Sequence, residues 1–152
     1  MTRAHLILTA TLGSAALLAG AFIFQAFGYA PCHLCLLQRW PHGAAILIGV
    51  IALLTGWRSL AYLGAAAALT TAGLGLYHTG VERQWWEGPT TCTSGSIAGV
   101  DPKALLDQIL AAPVVRCDEV AWQLMGLSMA SWNMLASLVL AGIWIAAARK
   151  AA

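Results

Sequence analysis

Cys32 and Cys35 stand in the string Pro31-Cys32-His33-Leu34-Cys35-Leu36-Leu37-Gln38-Arg39-Trp40, between two long apolar runs. Cys92 and Cys117 lie in the one long polar stretch. Both pairs fall outside, or at the edge of, the apolar runs. A bridge across two intervening residues closes a tiny loop and removes little chain entropy, so it is a poor staple. Such pairs are usually redox-active. A Cys-x-x-Cys at a bilayer surface, facing a second pair in a loop, suggests electron exchange between thiols and something dissolved in lipid.

Other uses of four cysteines fit less well. Four cysteines allow three pairings, and two inert disulfides would explain the loop pair but not the Cys-x-x-Cys. A zinc site would need ligands converging from two loops in an oxidising compartment. Covalent haem needs histidine directly after the second cysteine, where this chain has Leu36. Cys32 and Cys35 belong at a helix N-terminus, where unpaired N–H groups and the dipole stabilise a thiolate. Arg39 follows Cys35 by one helical turn, so its guanidinium shares the sulfur's face and can hold an anionic or carbonyl oxygen. The rival reading of Arg39 is a side chain snorkelling to headgroups. His78 closes an apolar run and can reach the same outer face. His33 can tune the redox pair, whereas His5 and His42 carry no signal.

The elements that must hold these residues are membrane spans. Of the 152 residues, 60% are hydrophobic and 9% charged, against roughly 25% charged in a soluble domain. Apolar runs cover residues 5–27, 36–56, 60–77 and 131–148. Each is long enough to cross a hydrocarbon core of roughly 30 Å. The reading is an all-α membrane protein: one four-transmembrane-helix bundle over 1–152, rich in small residues that let helix backbones approach. Ala19-Gly20-Ala21 resembles a signal-peptidase site, but the run continues through Phe22, Ile23 and Phe24, too long for a signal peptide. The net charge of +2, with no basic run, excludes a nucleic-acid partner.

Arg3, Arg58, Arg149 and Lys150 crowd the short segments on one side; Arg39, Arg83, Lys103 and Arg116 are spread along the other. This density puts both termini in the cytoplasm. All six acidic residues, Glu82 among them, are assigned to the translocated loop over 79–130. Within that loop Asp101-Pro102 reads as an N-cap and first helical residue. Leu105, Leu106, Ile109 and Leu110 then form the apolar face of a short amphipathic helix that ends before Pro113.

At these residues the chain resembles the DsbB family, the disulfide-generating enzymes of the bacterial inner membrane. The matching features are Pro-Cys-x-x-Cys with Arg39 one turn on, the four spans and the two loop cysteines. Tyr77-His78-x-Gly80-Val81-Glu82, then Trp86-x-Gly88-Pro89-x-x-Cys92-Thr93, resembles the family's entry to the second loop. Trp122-x-Leu124-x-Gly126-Leu127-Ser128-Met129-x-x-Trp132 resembles its lead into the fourth span. The likeness runs along nearly the whole chain. It implies that a reduced, periplasmic thioredoxin-fold partner of the DsbA type attacks Cys92. Cys117 then resolves, with an interloop bond to Cys32 as intermediate. Electrons pass to Cys32–Cys35, and the Cys35 thiolate engages a membrane quinone, ubiquinone or menaquinone, bound with the help of Arg39 and His78. Gln38 stands where some members carry an acid. Two other readings remain: a quinone-linked thiol oxidoreductase related to vitamin K epoxide reductase, and a scaffold with structural disulfides. The first would carry its motif near the last span, whereas here it precedes the second.

Overall fold

The structure, a computed structural model, describes residues 1–89, 101, 103, 106 and 115–150. Cys92 and most of the amphipathic helix expected after Asp101 lie outside the described residues. Four helices are long and apolar enough to cross a membrane: α1 (Arg3–Ala26), α2 (His33–Thr55), α3 (Leu60–Glu82) and α4 (Met129–Arg149). Between α3 and α4 a two-residue hairpin pairs β1 (Gln123–Leu124) with β2 (Leu127–Ser128) in antiparallel register. Its turn residues Met125 and Gly126 have φ of 54° and 76°. Positive φ at both central positions is the tight hairpin turn that follows the natural strand twist, and glycine takes the second at no steric cost.

Two helices extend well past their apolar runs, for local reasons. α2 starts at His33 because Cys32 caps it: the Cys32 sulfur accepts the Cys35 backbone N–H at 3.3 Å. α3 continues to Glu82 because the polar groups of its last turn find partners inside the bundle. Thr79 Oγ1 lies 3.1 Å from Ser131 Oγ, and the Glu82 carboxylate accepts from the Ser128 hydroxyl. Glu82 is therefore a helical residue whose side chain is only 6% exposed. This corrects the assignment of all six acids to the loop. The apolar run ends at 77 but the helix does not, and a carboxylate can be buried when a hydroxyl donates to it.

The bundle is packed with small residues inside and large ones outside. Ala10, Ala45, Ala61 and Ala147 are fully buried, while Leu54 and Val139 are 81% and 63% exposed. In lipid no hydrophobic drive pulls leucine inward, and close backbone approach wins. The tightest case is Gly64 of α3, where an added Cβ would fall 2.6 Å from the ring of buried Trp144 on α4. At one end of the bundle Arg58 donates to the carbonyls of Ala148 and Arg149 at 2.7 and 3.0 Å, and Arg3 donates to that of Gly56. These bonds satisfy helix-end carbonyls that have no intrahelical partner. The buried residues of α1, Ile7, Ala10, Thr11 and Ser14, all lie in its first half, toward that end.

Candidate functional site

At the other end of the bundle, the cap of α2 sets the sulfur geometry. Cys32 donates its thiol to the Cys35 sulfur at 2.9 Å, and both thiols are free. Donation to Cys35, followed by burial, pushes the Cys32 thiol well above the ordinary cysteine range. Cys117 is fully buried in one cluster with Cys32, Leu34 and Val81. Three of the four predicted cysteines are thus gathered in one place; Cys92 lies outside the described residues.

His78, on the last turns of α3, is brought to the same place. Its Nε2 lies 3.6 Å from the Cys32 sulfur and 3.8 Å from Glu82 Oε1, and the ring also bonds the Cys117 backbone. Its Nδ1 lies 3.0 Å from Gln38 Nε2. Cys32, Cys35 and His78 offer three ligand atoms within 4.8 Å of one another. Holding a metal there would need both thiols and the ring nitrogen deprotonated, which the thiol hydrogen bond opposes.

Arg39 is engaged with α1. Its Nη1 donates to Gln25 Oε1 at 2.7 Å and its Nη2 to the Ala21 carbonyl at 3.4 Å, and the guanidinium carbon lies 4.7 Å from the Phe22 ring centre. Its buried Nε has no partner among the described residues. Cys32, Cys35, Arg39 and His78 all line one cavity of about 400 Å³. Its remaining wall comes from α1, α4 and the segment 115–124. That segment is held by Trp122 packing edge-on against Phe24 at 5.1 Å, and by a paired bond from Arg116 to Asp118 at 3.0 and 2.6 Å. Bonding to Arg116 holds the Asp118 carboxyl below its ordinary range. Apolar walls around a few convergent polar groups are the usual make-up of a small-molecule site.

Sequence reasoning gave no site role to four polar residues beside this cavity: Gln38, His42, Asn133 and Glu82. Asn133 donates to Gln38 Oε1 at 2.7 Å, and its own Oδ1 lies 2.9 Å from His42 Nε2. Spacing held a partial signal, since Leu34, Gln38 and His42 recur every four residues and share one face of α2.

The model of a protein family described as "Disulfide bond formation protein DsbB" matches residues 3–147. The chain is 32% identical to "Disulfide bond formation protein B 2" of Pseudomonas savastanoi pv. phaseolicola, covering 86% of this chain and 79% of that protein. It is 29% identical to "Disulfide bond formation protein B" of Albidiferax ferrireducens, covering 92% and 87%. It is also 29% identical to "Disulfide bond formation protein B 2" of Pseudomonas entomophila, covering 93% and 90%. No solved structure gives a significant match.

Proposed function

The chain belongs to the DsbB family of disulfide bond formation proteins, a multi-pass membrane family, and on that premise we propose that it is a protein dithiol:quinone oxidoreductase. It reoxidises a periplasmic DsbA-type thiol oxidase and delivers the electrons to ubiquinone or menaquinone in the bacterial inner membrane. The observation that carries this reading is the placement of Cys117 in one buried cluster with Cys32, at the wall of an apolar cavity that also meets Cys35, Arg39 and His78.

The reaction divides between the two cysteine pairs. A partner thiolate attacks Cys92 of a Cys92–Cys117 disulfide, and the second partner thiol displaces Cys92, so the partner leaves oxidised and both loop thiols reduced. A loop thiolate then attacks the Cys32–Cys35 disulfide, by way of a bond between Cys32 and Cys117. The loop disulfide reforms and Cys32 and Cys35 are left reduced. Two electrons and two protons finally go from that dithiol to quinone, giving quinol and the disulfide. The Cys35 sulfur, which accepts the Cys32 hydrogen bond, is the one poised to meet the quinone ring. Arg39, at the wall of the cavity, supplies the donor to a quinone oxygen. His78 lies on the sulfur side of the same cavity. Flow is downhill when the quinone has the higher potential.

Both termini are cytoplasmic in this reading. Arg3, Arg58 and Arg149 meet at one end of the bundle, as the positive-inside rule asks of the cytoplasmic face. The sulfurs then face the periplasm. The test is quinone reduction by the purified protein given a reduced DsbA-type dithiol. Stoichiometric quinol is expected, abolished by Cys35→Ser. Disulfide transfer to the partner without quinol formation would overturn the proposal.

A further inference from the structure

The polar residues beneath the sulfurs form one chain of hydrogen bonds whose direction can be worked out. Backbone carbonyls only accept, so they fix the sense of every amide that touches them. Gln38 Nε2 lies 3.1 Å from the Leu34 carbonyl. The reverse orientation would set an oxygen against an oxygen with no proton between them. Gln38 therefore presents N–H to His78 Nδ1, which must be a bare acceptor. A second carbonyl gives the same sense independently. Thr71 donates its hydroxyl proton to the Gln38 carbonyl at 3.2 Å, so toward Asn133 it can only accept. Asn133 Nδ2 faces both Thr71 Oγ1 at 3.2 Å and Gln38 Oε1 at 2.7 Å. Asn133 Oδ1 then accepts from His42 Nε2 at 2.9 Å and from the Ser137 hydroxyl at 3.4 Å.

We infer that Gln38 and Asn133 are positioning residues that lock neutral His78 with its proton on Nε2, the nitrogen that faces the sulfur of Cys32. That nitrogen also serves the Cys117 backbone. The chain of donors runs His42 to Asn133 to Gln38 to His78 to Cys32, across α2, α3 and α4. Gln38, His42, His78 and Thr71 are each at least 94% buried, and Asn133 is half-buried at the cavity wall. A thiol or thiolate sulfur accepts a hydrogen bond better than a disulfide sulfur does. Donation from Nε2 therefore favours the reduced Cys32–Cys35 pair and makes its disulfide the stronger oxidant. The inference rests on the reading of Cys32–Cys35 as the redox pair, but no quinone or partner enters its test.

The test is nitrogen-15 NMR of the histidine ring in the intact protein, at about pH 8, above the ordinary histidine range. The His78 signal is identified by its loss in His78→Gln. A protonated Nε2 and a bare Nδ1 are expected. A protonated Nδ1 would overturn the inference on the unaltered protein alone. Gln38→Leu and Asn133→Leu provide the second readout, the equilibrium of Cys32–Cys35 with glutathione in protein lacking Cys92 and Cys117. Gln38→Leu should shift it about tenfold toward the disulfide, about 30 mV more reducing for a two-electron couple. Asn133→Leu should shift it less, in the same direction. Unchanged tautomer and unchanged equilibrium in both variants would also overturn it. A failed quinone assay with the expected tautomer would count against the proposed activity and leave this inference standing.

Discussion

Arg39 and Cys117 are the residues whose replacement discriminates best. Arg39 reaches α1 through two nitrogens and lines the cavity. Arg39→Lys keeps the charge but loses the planar fork, so KM for quinone should rise. Arg39→Ala should be worse, by about 1.5–3 kcal/mol for a charge-assisted hydrogen bond. Exchange between the partner and the loop cysteines should hardly change. Quinone reduction and partner oxidation, followed separately over a series of quinone concentrations, give the answer; an unchanged KM in Arg39→Ala would leave it as a tie between α1 and α2. Cys117 is buried against Cys32, so it is the loop sulfur suited to resolve. Cys117→Ala leaves Cys92 a free thiol, so mixing it with the oxidised partner should accumulate an adduct in which Cys92 has opened the partner's disulfide, visible on non-reducing gels; an adduct through Cys32 instead would reverse the proposed order.

Among the elements, the α3–α4 seam is the most demanding, because Trp144 occupies the space a side chain at position 64 would need. Gly64→Ala must move either a helix or a rigid indole, so overpacking should cost on the order of 1–3 kcal/mol. Thermal unfolding in detergent measures it, and an unchanged Tm would show that the seam yields freely. The spans themselves were legible in the sequence because a run of apolar residues is written in consecutive letters. The Cys-x-x-Cys and Arg39 were legible because their relation is local to one turn. The donor chain through Gln38, Asn133 and His42 was not, since it joins three helices and exists only once they pack. Glu82 was misplaced for a similar reason: the apolar run ends at 77, while the Ser128 hydroxyl that donates to its carboxylate lies 46 positions further along.

For the whole molecule, the proposed orientation in the membrane rests on where the arginines gather. A reporter active only in the periplasm should be silent when fused after Ala152 and active when inserted near Gly99; activity at the C-terminus would invert the protein. The asymmetry of α1 reaches further. Its fully buried residues stop at Ser14, and beyond that point it borders the cavity, tied to its neighbours by Arg39 at Gln25 and Ala21 and by Trp122 on Phe24. Mechanically, α1 would act as a lever, buried near Arg3 and held beside the sulfurs only by its surface ties to Arg39 and Trp122. Thermal motion should therefore open a slit on the flank of the bundle, and cargo would enter sideways from the lipid leaflet without crossing water. Spin labels at the exposed positions Leu12 and Ile23, each paired with Leu69 on α3, can read the amplitude. The distance distribution should be broad at Ile23 and narrow at Leu12, and a quinone analogue should sharpen the first alone. Equal widths at both positions would mean that α1 is a fixed wall and that the gate lies elsewhere.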